Sequence, residues 1–229
     1  MRATLTIRVI TFAMNAKSIA DMRISYDLAS LGDQQVLSDP IEQFQRWFEE
    51  VAATSVIEAN AMVLTTVTPD DLPQARTVLM KGFDADGLRF YTNYESAKGR
   101  QIAANPNVCA LFYWPTLQRQ VRWMGIAEQV SADESDEYFA SRPRGSQIGA
   151  LASEQSQPIS SAEELRQRFE DVERQYADDE PIPRPSHWGG YLIRPTMIEF
   201  WQGRENRLHD RIVFTRCDDG SWDITRLAP

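Results

Sequence analysis

Very little in this chain could build a metal centre, a disulfide framework or a nucleotide-binding loop. Cys109 and Cys217 are the only cysteines, and His187 and His209 the only histidines, in 229 residues. No Cys-x-x-Cys and no Cys/His grouping occurs, so neither a zinc site nor a disulfide scaffold is expected. So sparing a use of cysteine fits a reducing, cytoplasmic setting. Neither Gly-x-Gly-x-x-Gly nor a Walker A run is present, which removes the recognisable Rossmann and P-loop sites. No apolar run is long enough to span a bilayer. Positive charge is scarce: 24 Lys and Arg stand against 33 Asp and Glu, for a net charge of −9. That balance argues against sequence-independent nucleic-acid binding, which needs a basic surface. Any anion site must be a local basic pocket in an acidic protein.

Hydrophobic residues make up 42% and charged residues 25%, ordinary for a soluble globular protein. The first residues, MRATLTIRVITFA, hint at a signal peptide, but Arg8 interrupts the apolar part and no cleavage site follows. Residues 1–21 are expected to be a disordered extension, with translation starting as late as Met14 or Met22, and residues 22–229 a single domain. The segment 22–37 reads as a mobile arm. Asp39-Pro40 opens a helix, with Asp39 as N-cap and Ile41, Phe44, Phe48 and Val51 as its buried stripe. Strands are expected at 61–68, 74–81, 88–93, 108–114 and 119–130, joined by brief turns, with a short helix at 96–104. Helices follow at 131–141, 146–153 and from Ser160 or Ser161, the last burying Leu165, Phe169, Val172 and Tyr176. Closing strands fall at 191–193, 196–201, 211–216 and 222–227. Many short strands and few helices suggest an antiparallel barrel, mainly β with flanking helices. Cys109 is most simply a small buried hydrophobe, and His187, Trp188 and Trp222 are packing residues.

The densest group of reactive side chains lies in IEFWQGRENRLHDR, residues 198–211. Ile198 to Trp201 alternates like a strand, and Gln202-Gly203 breaks the run. If the chain beyond is extended, Arg207, His209 and Arg211 share one face. Two guanidiniums and an imidazole beside Trp201 suit a planar anionic ligand; the plain alternative is a solvated edge. Further phosphate-holding candidates are Arg76 and Lys81 around the second strand, Lys98 at a helix start, and Arg142, Arg144 and Ser146 at a Pro-Gly turn. Each alone is more often a solvated charge. The case rests on several clusters together.

The run Ile-Glu-Phe-Trp-Gln, four residues, then Arg-Leu-His-Asp-Arg resembles the C-terminal signature of the pyridoxamine 5'-phosphate oxidase family. The resemblance extends from about Met22 to the terminal Arg-Leu-Ala-Pro. It implies an FMN-binding split barrel, a Greek-key barrel working as a homodimer with flavin mononucleotide (FMN) at the subunit interface. By the same resemblance RTVLMK assigns Arg76, Thr77, Val78, Leu79, Met80 and Lys81 to FMN. Tyr91, Thr92, Lys98, Gln120, Gln155, Ser156, Trp201 and Arg211 complete that set. Substrate contacts fall to Arg23 and Tyr26 in the arm, and to Lys81, Tyr138, Arg142, Ser146, Arg207, Leu208 and His209. Arg207 and His209 are the catalytic candidates, and no metal is implied.

The implied reaction is FMN-dependent oxidation of pyridoxamine or pyridoxine 5'-phosphate to pyridoxal 5'-phosphate, in vitamin B6 biosynthesis and salvage. Dioxygen accepts the electrons and leaves as hydrogen peroxide, with ammonia released from the amine. The alternatives are a split-barrel flavin or deazaflavin reductase acting on another substrate, and a non-catalytic pyridoxal phosphate or FMN carrier. One departure stands out: the family often has Arg before the phosphate-binding lysine, whereas here the run is Ser96-Ala97-Lys98, with Arg100 the nearest replacement. A charge-assisted hydrogen bond contributes roughly 1.5–3 kcal/mol. Restoring it with Ala97→Arg should tighten FMN binding about tenfold or more, read by quenching of flavin fluorescence; unchanged affinity would show that another group already fills the position.

Overall fold

The computed structural model describes residues 25–176 and 181–229. Arg23 and the expected N-terminal extension lie outside the described residues. Helix α1 (Pro40–Ala52) starts where a fixed φ and a capping carboxylate coincide: Asp39 accepts N–H bonds from Ile41 (2.6 Å) and Glu42 (3.4 Å), and Pro40 takes the first helical position. Its expected stripe is widened by Trp47. Phe44 is wholly buried, with ring centroids 4.9 Å from Phe83, 5.0 Å from Trp123 and 5.2 Å from Phe112. The helix therefore plugs the mouth of the sheet with aromatic surface, the largest hydrophobic contribution per residue available to it.

The sheet is antiparallel throughout. Its strands are β1 (Ala61–Val67), β2 (Pro73–Leu79), β3 (Gly82–Asp84), β4 (Gly87–Asn93), β5 (Asn107–Trp114), β6 (Arg119–Gln129), β7 (Trp188–Gln202), β8 (Asp210–Arg216) and β9 (Trp222–Leu227). They run β2-β1-β5-β6-β7-β4-β3, with β8 joining β7 and β9 joining β8. The sheet curls into a half-barrel flanked by helices, and its non-sequential order is that of the expected Greek-key barrel. Alternation in β1, β5 and β6 sends Met62, Leu64, Ala110, Phe112, Val121 and Trp123 inward with α1.

Two expectations change. Short β3 is an unexpected strand, made by the hairpin Asp84↔Gly87. The separate strands at 191–193 and 196–201 are one strand of 15 residues. Pro195 does not break it, because β4 pairs only as far as Ile193 and β8 begins pairing at Met197. The proline sits in the gap between those partners, where the ladder on that edge is already interrupted. Opposite it the register with β6 shifts at Met124/Gly125, a bulge that bends both strands.

Helix α2 (Ala97–Ala104) is capped by Ser96, and α3 (Ala132–Ser141) by Ser131. Helices α4 (Arg144–Ala152) and α5 (Ala162–Gln175) follow, and Ser161 is the cap of α5. Phe169, Val172 and Tyr176 pack against Phe139, Ile148, Ile182 and Trp188 in a second, smaller core. Leu165 does not join that face and is 41% exposed.

Gly125 is required by the bulge, since a Cβ there would lie 2.0 Å from the carbonyl oxygen of Arg194. Gly125→Ala should cost about 1–3 kcal/mol, the usual range for overpacking, measured as a lower urea midpoint at unchanged slope; full stability would mean that the two strands separate there at no cost.

Candidate functional site

A cavity of about 630 Å³ opens between β2, β4 and the α3–α4 turn. Eleven of the residues singled out above line it: Thr77, Val78, Leu79, Lys81, Tyr91, Thr92, Lys98, Tyr138, Arg142, Ser146 and Gln155. They come from segments up to 78 residues apart in sequence (Thr77 to Gln155), brought together because β4 pairs with β7 and α3 follows directly from β6.

At one group of wall residues, Lys98 Nζ donates to Gln155 Oε1 (2.9 Å), Thr92 Oγ1 (3.1 Å) and Ser96 Oγ (3.2 Å). Arg76 lies beneath, not on the lining: it donates to Thr66 Oγ1 (2.6 Å), Gln101 Oε1 (3.0 Å) and Leu64 O (3.2 Å). All these acceptors are neutral. Burial, reinforced by the Arg76 charge, pushes the Lys98 ammonium down to about 8. Two neighbouring cations, each bonded only to neutral acceptors, leave positive charge that suits an anion. Arg100 does not substitute for the absent Arg at 97: its guanidinium turns to the Glu95 carbonyl.

A second group is built on aromatic rings. Tyr91 and Tyr138 stack at 3.8 Å, with Trp188 parallel to both. Arg142 lies 4.5 Å over the Trp188 ring, and its Nη1 is buried with no hydrogen-bond partner. A buried, unsatisfied guanidinium N–H at a cavity wall is costly unless a ligand accepts from it. Burial raises the Tyr91 phenol to about 12, helped by Glu134, whose carboxylate accepts a hydrogen bond from the hydroxyl. Trp188 is thus a core residue, as expected, and also a wall of the cavity; the small Gly189-Gly190 beside it, where a Cβ would meet Tyr94 and Tyr91, was the overlooked sequence signal.

The remaining candidates lie elsewhere. Met80 is 4% exposed, within the main core. Ser156 lines a separate cavity of about 180 Å³. Gln120, Trp201 and Arg211 line one of about 300 Å³ with Leu111, Arg122, Glu199 and Pro229, and it shares no residue with the first. The extended conformation expected for 204–211 is not found. Glu205–Arg207 forms a 3-10 turn in which Asn206 (φ 55°) and Arg207 (φ 63°) are left-handed, and β8 starts only at Asp210. Arg207, His209 and Arg211 therefore do not share a strand face. Two consecutive left-handed non-glycine residues are strained, and the turn leaves Arg207 and Leu208 exposed. His209 instead packs 4.6 Å from Trp201, with Tyr26 edge-on to both rings. His209 Nδ1 accepts from the Arg204 backbone N–H (3.0 Å). Burial and the Arg207 charge lower its pKa, so at neutral pH the ring is uncharged and presents Nε2–H as a donor.

The family model described as pyridoxamine 5'-phosphate oxidase matches residues 48–176. That of the pyridoxine 5'-phosphate oxidase C-terminal dimerisation region matches residues 188–229. A pyridoxine/pyridoxamine 5'-phosphate oxidase of Rubrobacter xylanophilus is 54% identical, over 93% of this chain and 97% of its own. The Salinibacter ruber protein of that name is 50% identical, over 92% and 99%. Among solved structures, PhzG from Burkholderia lata 383, in complex with tetrahydrophenazine-1-carboxylic acid, superposes with a TM-score of 0.81 at 28% identity, covering 89% of this chain and 100% of that one. No described helix is long and apolar enough to cross a membrane.

With Lys98 titrating at about 8, a phosphate monoester should bind best between about pH 6, where it becomes a dianion, and pH 8. Affinity should fall as pH rises through 8, because the lysine then loses the charge that the dianion needs. Calorimetric titration across that range checks it, and Lys98→Met should flatten the upper limb.

Proposed function

The chain belongs to the pyridoxamine 5'-phosphate oxidase family of oxidoreductases, and from that premise we propose that it oxidises pyridoxamine or pyridoxine 5'-phosphate to pyridoxal 5'-phosphate with FMN. The observation that carries the reading is two cationic groups at one cavity: Lys98, with the Arg76 charge off the lining but close enough to act on it, and Arg142, which shares the lining with Lys81. A cofactor and a substrate that each bear a phosphate need two such groups. The fit to FMN rests on the first group, where neutral acceptors leave the charge of Lys98 and Arg76 unmatched. The fit to the substrate rests on the second, where Arg142 has a buried N–H to give.

Lys98, Gln155, Thr92 and Ser96 would hold the FMN phosphate, with Arg76 adding charge from below, and the β2 residues Thr77 to Leu79 would run along the ring system. Arg142, Ser146, Tyr138 and Lys81 would hold the substrate phosphate, so that binding energy far from the reacting carbon is spent on alignment. When bound, FMN supplies the two-electron chemistry, accepting a hydride equivalent from C4' and passing the electrons to dioxygen as hydrogen peroxide. The alcohol gives the aldehyde directly; the amine gives an imine, which water hydrolyses to aldehyde and ammonia.

The chain's own contribution at the reacting end is electrostatic. His209, with Nδ1 committed to Arg204 N–H, would offer a hydrogen-bond donor and not a base. Together with the Arg207 guanidinium it would orient the pyridine ring through its oxygen substituents and match negative charge there. Tyr26 would close the arm over this end.

Gln120, Trp201 and Arg211 face a different cavity from Lys98 and Arg142, and residues 188–229 match the dimerisation region. We therefore assign the complete site to a homodimer, with the second cavity's residues reaching the cofactor bound mainly by the partner. A reductase of the same fold acting on a substrate without phosphate would have no use for the second group.

Aerobic turnover of pyridoxamine 5'-phosphate with added FMN, following aldehyde and peroxide together, tests this. Product that depends on FMN supports it; a yellow protein that makes none points to the reductase or carrier. Arg207→Met should keep its FMN and lose roughly 100-fold or more in turnover, the scale of a removed charge stabiliser; wild-type turnover would remove Arg207 from the site.

A further inference from the structure

We infer that Glu199 is a positioning residue for the cofactor, acting through Arg211 and resting on the FMN reading above. Glu199 is 6% exposed, near the C-terminal end of β7. Its Oε1 accepts from Arg211 Nε (2.7 Å) and its Oε2 from Arg122 Nη2. The three residues stand on adjacent strands, Arg122 directly opposite Glu199 and Arg211 two pairs along on β8, on the same face of the sheet. All three line the second cavity beside Gln120 and Trp201.

Stability alone is a poor reason for this arrangement. A buried ion pair is often replaceable by apolar residues without loss, whereas a buried carboxylate left without its partners is costly. Two guanidiniums facing one carboxylate leave one net positive charge on the cavity wall, and Arg122 Nε is buried there with no partner. Arg211 is held from two sides: Nε by Glu199, and Nη1 by the carbonyl of Ala228 at 3.2 Å. Nη2 is used by neither bond. A long side chain fixed in this way loses little further freedom when it meets a ligand, which is what makes a preorganised donor effective. Glu199 therefore sets where the Arg211 donor points and how much positive charge the wall carries, without itself needing to touch the cofactor.

The test is a double-mutant cycle on FMN affinity, read by flavin fluorescence, with the dimer mass of each apo-protein checked by sedimentation. Glu199→Gln should weaken FMN binding roughly tenfold while the apo-protein stays dimeric, and Arg211→Met should weaken it at least as much. In the Arg211→Met background, Glu199→Gln should then have no further effect. Independent, multiplying losses would overturn the inference, as would a Glu199→Gln protein that melts earlier and binds FMN normally. Should Glu199→Gln fail to fold, Glu199→Asp, which keeps the charge but draws it back by one methylene, is read on the same criteria. A wild-type chain that takes up no FMN at all removes the cofactor reading, and this inference with it.

Discussion

Along its 15 residues β7 bonds to β6 on one edge and divides the other between β4 and β8. That division curls the sheet, because two strands on one edge diverge from the bend at Pro195 and the bulge at Gly125. It also distributes the chemistry. The first residue of β7, Trp188, is the ring under Arg142. Near its other end, Glu199 and Trp201 line the second cavity. A strand that could not run through Pro195 would uncouple these two places.

The second constraint is electrostatic. The chain is acidic overall, yet it keeps Arg76 and Lys98 among neutral acceptors and leaves an Arg142 N–H without one. Several of its other arginines are ion-paired: Arg89 with Asp84 and Glu134, Arg119 with Glu50, Arg226 with Asp33 and Asp210. A cation that is half-buried and unmatched destabilises the empty protein, as the depressed Lys98 ammonium reports. An anion bound there would recover that cost, so under the proposed function affinity and specificity for phosphate would have one origin. The same acidity elsewhere discourages polyanions from competing for the cavity.

At residues 204–209 local geometry departs from the simple periodic expectation. Side-chain types alone place Arg207 and His209 on one strand face; two left-handed residues, Asn206 and Arg207, turn the chain instead. The turn brings His209 against Trp201 and Tyr26 and fixes its tautomer through Arg204 N–H. What becomes available is a neutral donor next to an exposed cation. Period-two reasoning does not reach this, because the turn is set by contacts with β8 and with residues of the arm that are distant in sequence: Leu31 N donates to Asp210, and Arg226 to Leu31 O.

Local chemistry was enough to determine much of the molecule. The Asp39-Pro40 start of α1, the serine caps, most strand positions and the antiparallel class all follow from interactions spanning a few residues, which the sequence displays directly. The long C-terminal signature likewise pointed to the family before any fold was seen. Tertiary structure alone decided that β7 is continuous, that Trp188 lines the main cavity, that Arg76 stands off its lining yet acts on Lys98, and that Ser156 and Met80 stand off the cavity wall. It alone put Glu199 between two arginines, and it separated Gln120, Trp201 and Arg211 from the cations they would serve with. The reason is the same in each case: these outcomes depend on which strand lies beside which, and strand pairing is a long-range choice settled by burial of the whole sheet, not by any segment of it.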